Sequence, residues 1–175
     1  MIVAKFGGTS VADHTSIEQV LNIIESNKAK QVVVVSAFGG ITNAIHEAAH
    51  LAASGDLAYQ KIIDQIEKRH INTTKALIPV QSQSSVLSRV KQQINALSTL
   101  HEGVYLLREL SPKTLDHMLG FGELLSYFII AKAAQSRGMD VAQKNARDFI
   151  FTSSNAQPNN VDYEKTYSAI QSYFN

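Results

Sequence analysis

The sequence predicts an α/β protein built around a parallel sheet, and three observations carry that prediction. Two short apolar runs each end in a glycine pair, Gly7-Gly8 and Gly39-Gly40. Each is followed by apolar residues at helical spacing, so strand, glycine turn and helix occur twice in succession. The second run, Val32 to Ala37 (VVVVSA), is β-branched at successive positions, the pattern of a central strand buried on both faces.

In order along the chain, Ile2 to Ala4 leads into Lys5 as a first strand, and Ile17, Val20, Leu21 and Ile24 place a helix over roughly 15–28. After the central strand a second helix begins near Thr42. The middle of the chain is helical. Leu57, Ile62, Ile63 and Ile66 mark one helix. Val86, Leu87, Val90, Ile94 and Leu97 mark another. Leu115, Met118, Leu119, Leu125, Phe128 and Ile129 mark a third, with Pro112 near its start and Gly138 at its stop. The IPVQSQSS stretch between the first two predicts a turn. Short strands are expected around 141–144 and 149–152, then a loop at SSNAQPNN. A last helix should carry Tyr163, Tyr167, Ile170 and Phe174 on one face.

Composition excludes several functions. The 175 residues suffice for one domain with a core, and 16 Lys+Arg against 15 Asp+Glu leave a formal charge of +1. Such a balance does not argue for nucleic acid or an anionic membrane. With no cysteine, disulfides, thiolate metal sites and Cys nucleophiles are absent. No secretory leader or membrane-length apolar run is evident, so a cytoplasmic protein is expected.

The glycine pairs carry the chemistry. A strand ending in small residues before a helix exposes backbone N–H groups, and Lys5 adds an ammonium at the same spot. That combination favours an anion, phosphate above all. Thr9 and Ser10 are candidates to add hydroxyls or cap the helix. Neither GxxxxGK[ST] nor GxGxxG is present. The plain alternative is a turn beside a solvated lysine. Ser36 to Asn43 repeats the geometry at the next strand end, so two glycine turns would frame one crevice. Gly120-Phe121-Gly122-Glu123 places two glycines and a carboxylate on an apolar helix. Glycine inside a helix costs about 1 kcal/mol, so either something approaches closely there or a helix starts there; Glu123 could then accept from an ammonium group.

Taken together, KFGGTSVAD, VVVVSAFGGITN, GFGELLS and ARDFIFTSSN resemble, in this order, the N-terminal half of an aspartokinase of the amino-acid kinase family. The resemblance covers essentially the whole chain. It implies an amino-acid kinase fold, incomplete here, with residues 1–175 as the acceptor-substrate part of the catalytic domain. The ATP-binding half and the regulatory ACT domains would lie outside these residues. It further implies phosphorylation of the L-aspartate β-carboxylate by ATP with Mg2+, the first step toward lysine, threonine and methionine. The full-length enzyme would be a homo-oligomer, and the 175 residues alone would be inactive. By the same resemblance Lys5, Gly7, Gly8 and Ser10 receive the phosphoryl group, while Ser36, Gly40, Thr42 and Glu123 hold aspartate. Arg147 matches the family's Asp-Ala-Arg segment, although Asn145 stands where the family has the Asp.

Two other readings come from the residues alone. His46-Glu47-Ala48-Ala49-His50 is a literal HExxH, the pattern of zinc metallopeptidases. The third ligand is not evident, because Ala53 and Asp56 occupy the extension positions, and no metal site is expected. The helical region between 56 and 137 could alternatively form an interaction surface, since periodicity does not separate a dimer face from a catalytic wall.

Overall fold

The computed structural model describes residues 1–27, 29–152 and 161–174. The chain forms two compact units, Met1–Val141 and Ala142–Asn175.

In the first unit, β1 (Ile2–Phe6) and β2 (Gln31–Val35) pair in parallel, with Ile2 opposite Gln31 and Phe6 opposite Val35. They are joined by α1 (His14–Ser26), whose apolar face buries Ile17, Val20 and Leu21. The cap of α1 is Asp13, whose carboxylate accepts from the Ser16 N–H at 2.8 Å, not Thr9 or Ser10. That bond holds the Asp13 carboxyl below its usual range.

Four helices follow: α2 (Ile41–Ser54), α3 (Ala58–Leu77), α4 (Val80–Leu107) and α5 (Pro112–Ser136). They share one core with α1, in which α2 is the inner helix, burying Ile41, Ile45, Ala48, Ala49 and Ala52. Each buried Ile or Leu contributes about 1.5–3 kcal/mol by leaving water. As expected, Pro112 sits in the first turn of α5, where its missing N–H has no helical partner to lose. Ser111 caps that helix by accepting from the Thr114 N–H.

Three expectations change. IPVQSQSS is not a turn: only Ile78-Pro79 breaks the helix, and the Gln/Ser run is the solvent face of α4's first turns. There Gln83 donates to the carbonyls of Ile78 and Lys75 that α3 leaves unpaired. β2 is not buried on both faces either. Val34 is 45% exposed and Val3 on β1 67%, because the helices of this unit cover one side of its two-stranded sheet. Residues 141–144 and 149–152 form no strands. Among the described residues these segments have no ladder partner beyond one antiparallel bridge, Thr152 to Val161.

The second unit also contains a 3₁₀ turn at Ala146–Asp148 and α6 (Tyr163–Phe174). The buried residue of α6 is Thr166, whose hydroxyl accepts from the Phe151 N–H; Tyr163 and Tyr167 are exposed and only Ile170 and Phe174 lean inward. A hydroxyl with a backbone partner thus occupies the face that aromatic spacing assigned to the tyrosines. The predicted SSNAQPNN loop lies outside the described residues.

Two histidines are buried in the helical core. His70 on α3 stacks on Phe38 at 4.9 Å between ring centroids and approaches the Ile66 carbonyl through Nδ1 at 2.7 Å. Burial pushes its imidazole down to about 4, with the nearby Arg69 charge adding to the effect and the Ile66 hydrogen bond opposing it. His101 on α4, near the Leu97 and Ile45 carbonyls, is lowered by burial too. The folded protein therefore binds these protons more weakly than the unfolded chain does. Stability should be complete above about pH 6.5 and fall as the pH drops toward 4, by on the order of 3 kcal/mol for His70. Urea midpoints at pH 7 and 4.5 check this. His70→Phe, which keeps the stack and cannot protonate, should lose markedly less stability over that interval than the wild type.

Candidate functional site

The parallel register sets both glycine turns at one sheet edge. β1 ends at Phe6, whose carbonyl accepts from the Ser36 N–H at 3.1 Å, so the strands run in step until both reach small residues. The turns then touch. A Cβ on Gly8 would lie 3.3 Å from the Ala37 carbonyl oxygen; one on Gly39 would lie 3.1 Å from the Gly8 oxygen and 3.2 Å from Ala12 Cβ. Bare backbone lets the turns come this close; a methyl group at either glycine would have to push its neighbour away by a few tenths of an ångström.

Lys5 is exposed, and its Nζ lies 3.7 Å from where a Gly7 side chain would begin. The ammonium therefore covers the bared backbone of the first turn. Among the described residues no carboxylate lies within ion-pair distance of it. Within the turn, the Ser10 and Val11 N–H groups both donate to the Gly7 carbonyl. Thr9 and Ser10 are exposed and border a shallow cleft toward Ser16, Gln19 and Ile23 of α1.

At the second turn Gly40 holds φ +80°, a left-handed conformation, and stands at the cap of α2 with no side-chain hydrogen bond of its own. Thr42 follows in the first helical turn, half-buried. The Ile41 N–H donates to the Phe38 carbonyl, and the start of α2, with no side-chain cap, carries the positive end of the helix dipole.

The α5 glycines behave as a point of close approach. A methyl group at Gly122 would lie 2.8 Å from Ala37 Cβ and 3.4 Å from Ile41 Cγ2, so the helix backbone sits directly on the second turn. Ser126, one turn further on, donates to the Ser36 carbonyl at 2.6 Å and locks this docking. Glu123, between them in sequence, is exposed. Ser126 lay within the quoted GFGELLS motif, but nothing in its spacing marked it as the tie to β2.

Lys5, Gly7, Gly8, Ser36 and Gly40 thus come together in one unit, with Thr42 and Glu123 on the helices that start at or dock against the second turn. Arg147 is exposed in the 3₁₀ turn of the other unit. His46 and His50 lie side by side on the exposed face of α2, 4.5 Å between centroids with the rings tilted by 48°. Among the described residues no group of three or more His, Asp or Glu side chains could hold a metal, so the metallopeptidase alternative lacks its third ligand.

An exposed lysine over bare glycine backbone, with a second glycine turn at the same edge of a parallel sheet, defines an α/β protein with two glycine turns in contact. The chain belongs to the amino acid kinase family, whose sequence model matches residues 1–174. It is 30% identical over 168 residues to a chloroplastic bifunctional aspartokinase/homoserine dehydrogenase 1 of Arabidopsis thaliana, covering 93% of this chain and 18% of that protein. It is 26% identical to an aspartokinase of Candida albicans, covering 95% of this chain and 30% of that one. The chain therefore spans less than a third of the length of either relative. Its fold matches E. coli aspartokinase III, crystallised with aspartate and ADP, at a TM-score of 0.84 and 24% identity over 98% of this chain and 37% of that one. Among the described residues no helix is long and apolar enough to cross a membrane.

Proposed function

We propose that this chain is the acceptor-substrate part of an aspartate kinase, which transfers the γ-phosphoryl group of ATP to the β-carboxylate of L-aspartate. The observation that carries the reading is the Lys5 ammonium lying over Gly7, beside two glycine turns in contact. A carboxylate oxygen of aspartate attacks the γ-phosphorus in line, the new O–P bond forms, and the bond to the β-phosphate oxygen breaks to release ADP. The aspartate carboxylate is already ionised near neutral pH, so no general base is needed. The protein's contribution is positioning and neutralisation of charge. In this scheme Lys5 and the N–H groups around Gly7 and Gly8 stabilise charge on the passing phosphoryl oxygens, with Ser10 close by. Ser36, Gly40 and Thr42 line the acceptor side, and Glu123 takes the α-ammonium of aspartate. Mg2+ enters with the nucleotide. The reading carries with it a homo-oligomeric full-length enzyme in the cytoplasm, on the pathway from aspartate to lysine and threonine.

The test uses two forms of the protein. A complete enzyme carrying this chain should form an acyl phosphate from L-aspartate and ATP, trapped as the hydroxamate. The 175 residues alone should give no turnover and no micromolar ATP affinity by calorimetry, because the nucleotide half lies outside them. Tight ATP binding to the 175 residues would put the nucleotide site within them and overturn this division of the two substrates.

A further inference from the structure

α3 touches both glycine turns from behind. The Arg69 guanidinium donates to the carbonyl of Ala12 at 2.5 Å, reaching 57 residues back in sequence to the end of the first turn. The next residue, His70, stacks on Phe38, the residue that opens the second turn; the rings lie 12° from parallel. Between these two anchors is the contact already described, in which Gly39 meets Gly8 and the Ala12 side chain. Adjacent residues of one helix thus grip both walls of the candidate site.

Arg69 is half-buried, and among the described residues no carboxylate lies within ion-pair distance of it. Holding a half-buried guanidinium without a counter-charge has a desolvation cost. A role confined to stapling helices does not account for that cost, whereas a charge-assisted hydrogen bond to a loop carbonyl fixes the loop more firmly than a neutral one. We infer that Arg69 is a positioning residue of the kinase reaction, setting the separation of the two glycine turns through the Ala12 carbonyl. The inference rests on the proposed function.

Its kinetic signature is specific. Under that reading each turn binds its own substrate, phosphoryl group at the first and aspartate at the second. A small separation of the turns leaves each binding step intact but lengthens the in-line approach between the reacting atoms. Misplacement on the order of 1 Å costs about a hundredfold in rate, so a few tenths should cost about tenfold. In the complete enzyme, Arg69→Met should therefore lower kcat about tenfold per folded molecule, with both KM values within about threefold of wild type. Arg69→Lys, which retains a charged donor, should recover most of the loss. Gly39→Ala disturbs the same spacing from the other side, since its methyl group meets the Gly8 oxygen and Ala12. It should show the same split and combine with Arg69→Met less than additively. Gly39→Ala alone carries the test if Arg69→Met does not fold. A merely structural role predicts a lower melting temperature with unchanged kcat per folded molecule, or KM values that rise while kcat holds. Either result, with Lys5→Ala inactive, overturns the inference and leaves the kinase reading standing. An active Lys5→Ala enzyme removes the kinase reading and this inference with it.

Discussion

Replacing Lys5 by Ala in a complete enzyme is expected to lower kcat by about a hundredfold or more. The ammonium lies over Gly7 with no carboxylate partner among the described residues, so its charge is available to whatever anion occupies the turn. Removing one preorganised charge or donor that acts on a transferring group typically costs about 10²–10³ in rate. Lys5→Arg should not restore activity. The planar fork is wider than an ammonium and presents its donors in a fixed plane, so it does not reproduce a point charge over the Gly7 backbone. Steady-state turnover at saturating ATP and aspartate measures the effect. A Lys5→Ala enzyme with near wild-type turnover would reduce the opening motif to a turn with a solvated lysine. Lys5 belongs to a strand only half covered by helices, so truncating its side chain removes little buried surface and the loss should be kinetic rather than structural.

Glu123→Gln should act on one substrate only. If the carboxylate pairs with the ammonium of aspartate, its loss removes a charge-assisted hydrogen bond worth roughly 1.5–3 kcal/mol. The KM for aspartate should then rise about ten- to more than a hundredfold, while the KM for ATP barely moves. Glu123 is exposed and makes no hydrogen bond through its side chain among the described residues, so the substitution should leave the melting temperature nearly unchanged. Its neighbours constrain the backbone instead. Gly122 rests on Ala37 and Ile41, and Ser126 holds the Ser36 carbonyl, which fixes position 123 beside the second turn. Equal increases in both KM values would place Glu123 outside the acceptor site.

Much of this arrangement was legible in the residues. Glycine pairs after apolar runs mark strand ends because local sterics alone decide where a chain can expose its backbone and turn. The parallel pairing of β1 and β2 follows from two such units joined by one helix, because a right-handed crossover leaves few other placements. A glycine inside an apolar helix announces close approach, and Gly122 meets it. What the sequence did not display were effects that need a partner. VVVV looks buried on both faces by composition, yet Val34 is exposed, since burial depends on a covering layer and not on the residue. The segments 141–144 and 149–152 have strand-like residues and, among the described residues, no strand to pair with. Above all, Arg69 and His70 look like the polar edge and the interior of an ordinary helix. Only tertiary packing brings them to Ala12 and Phe38, because a contact across 57 residues is set by the sum of all helix positions and leaves no local trace in either segment. The local rules of backbone and periodicity therefore determined the two turns, and the shared core decided how far apart they stand.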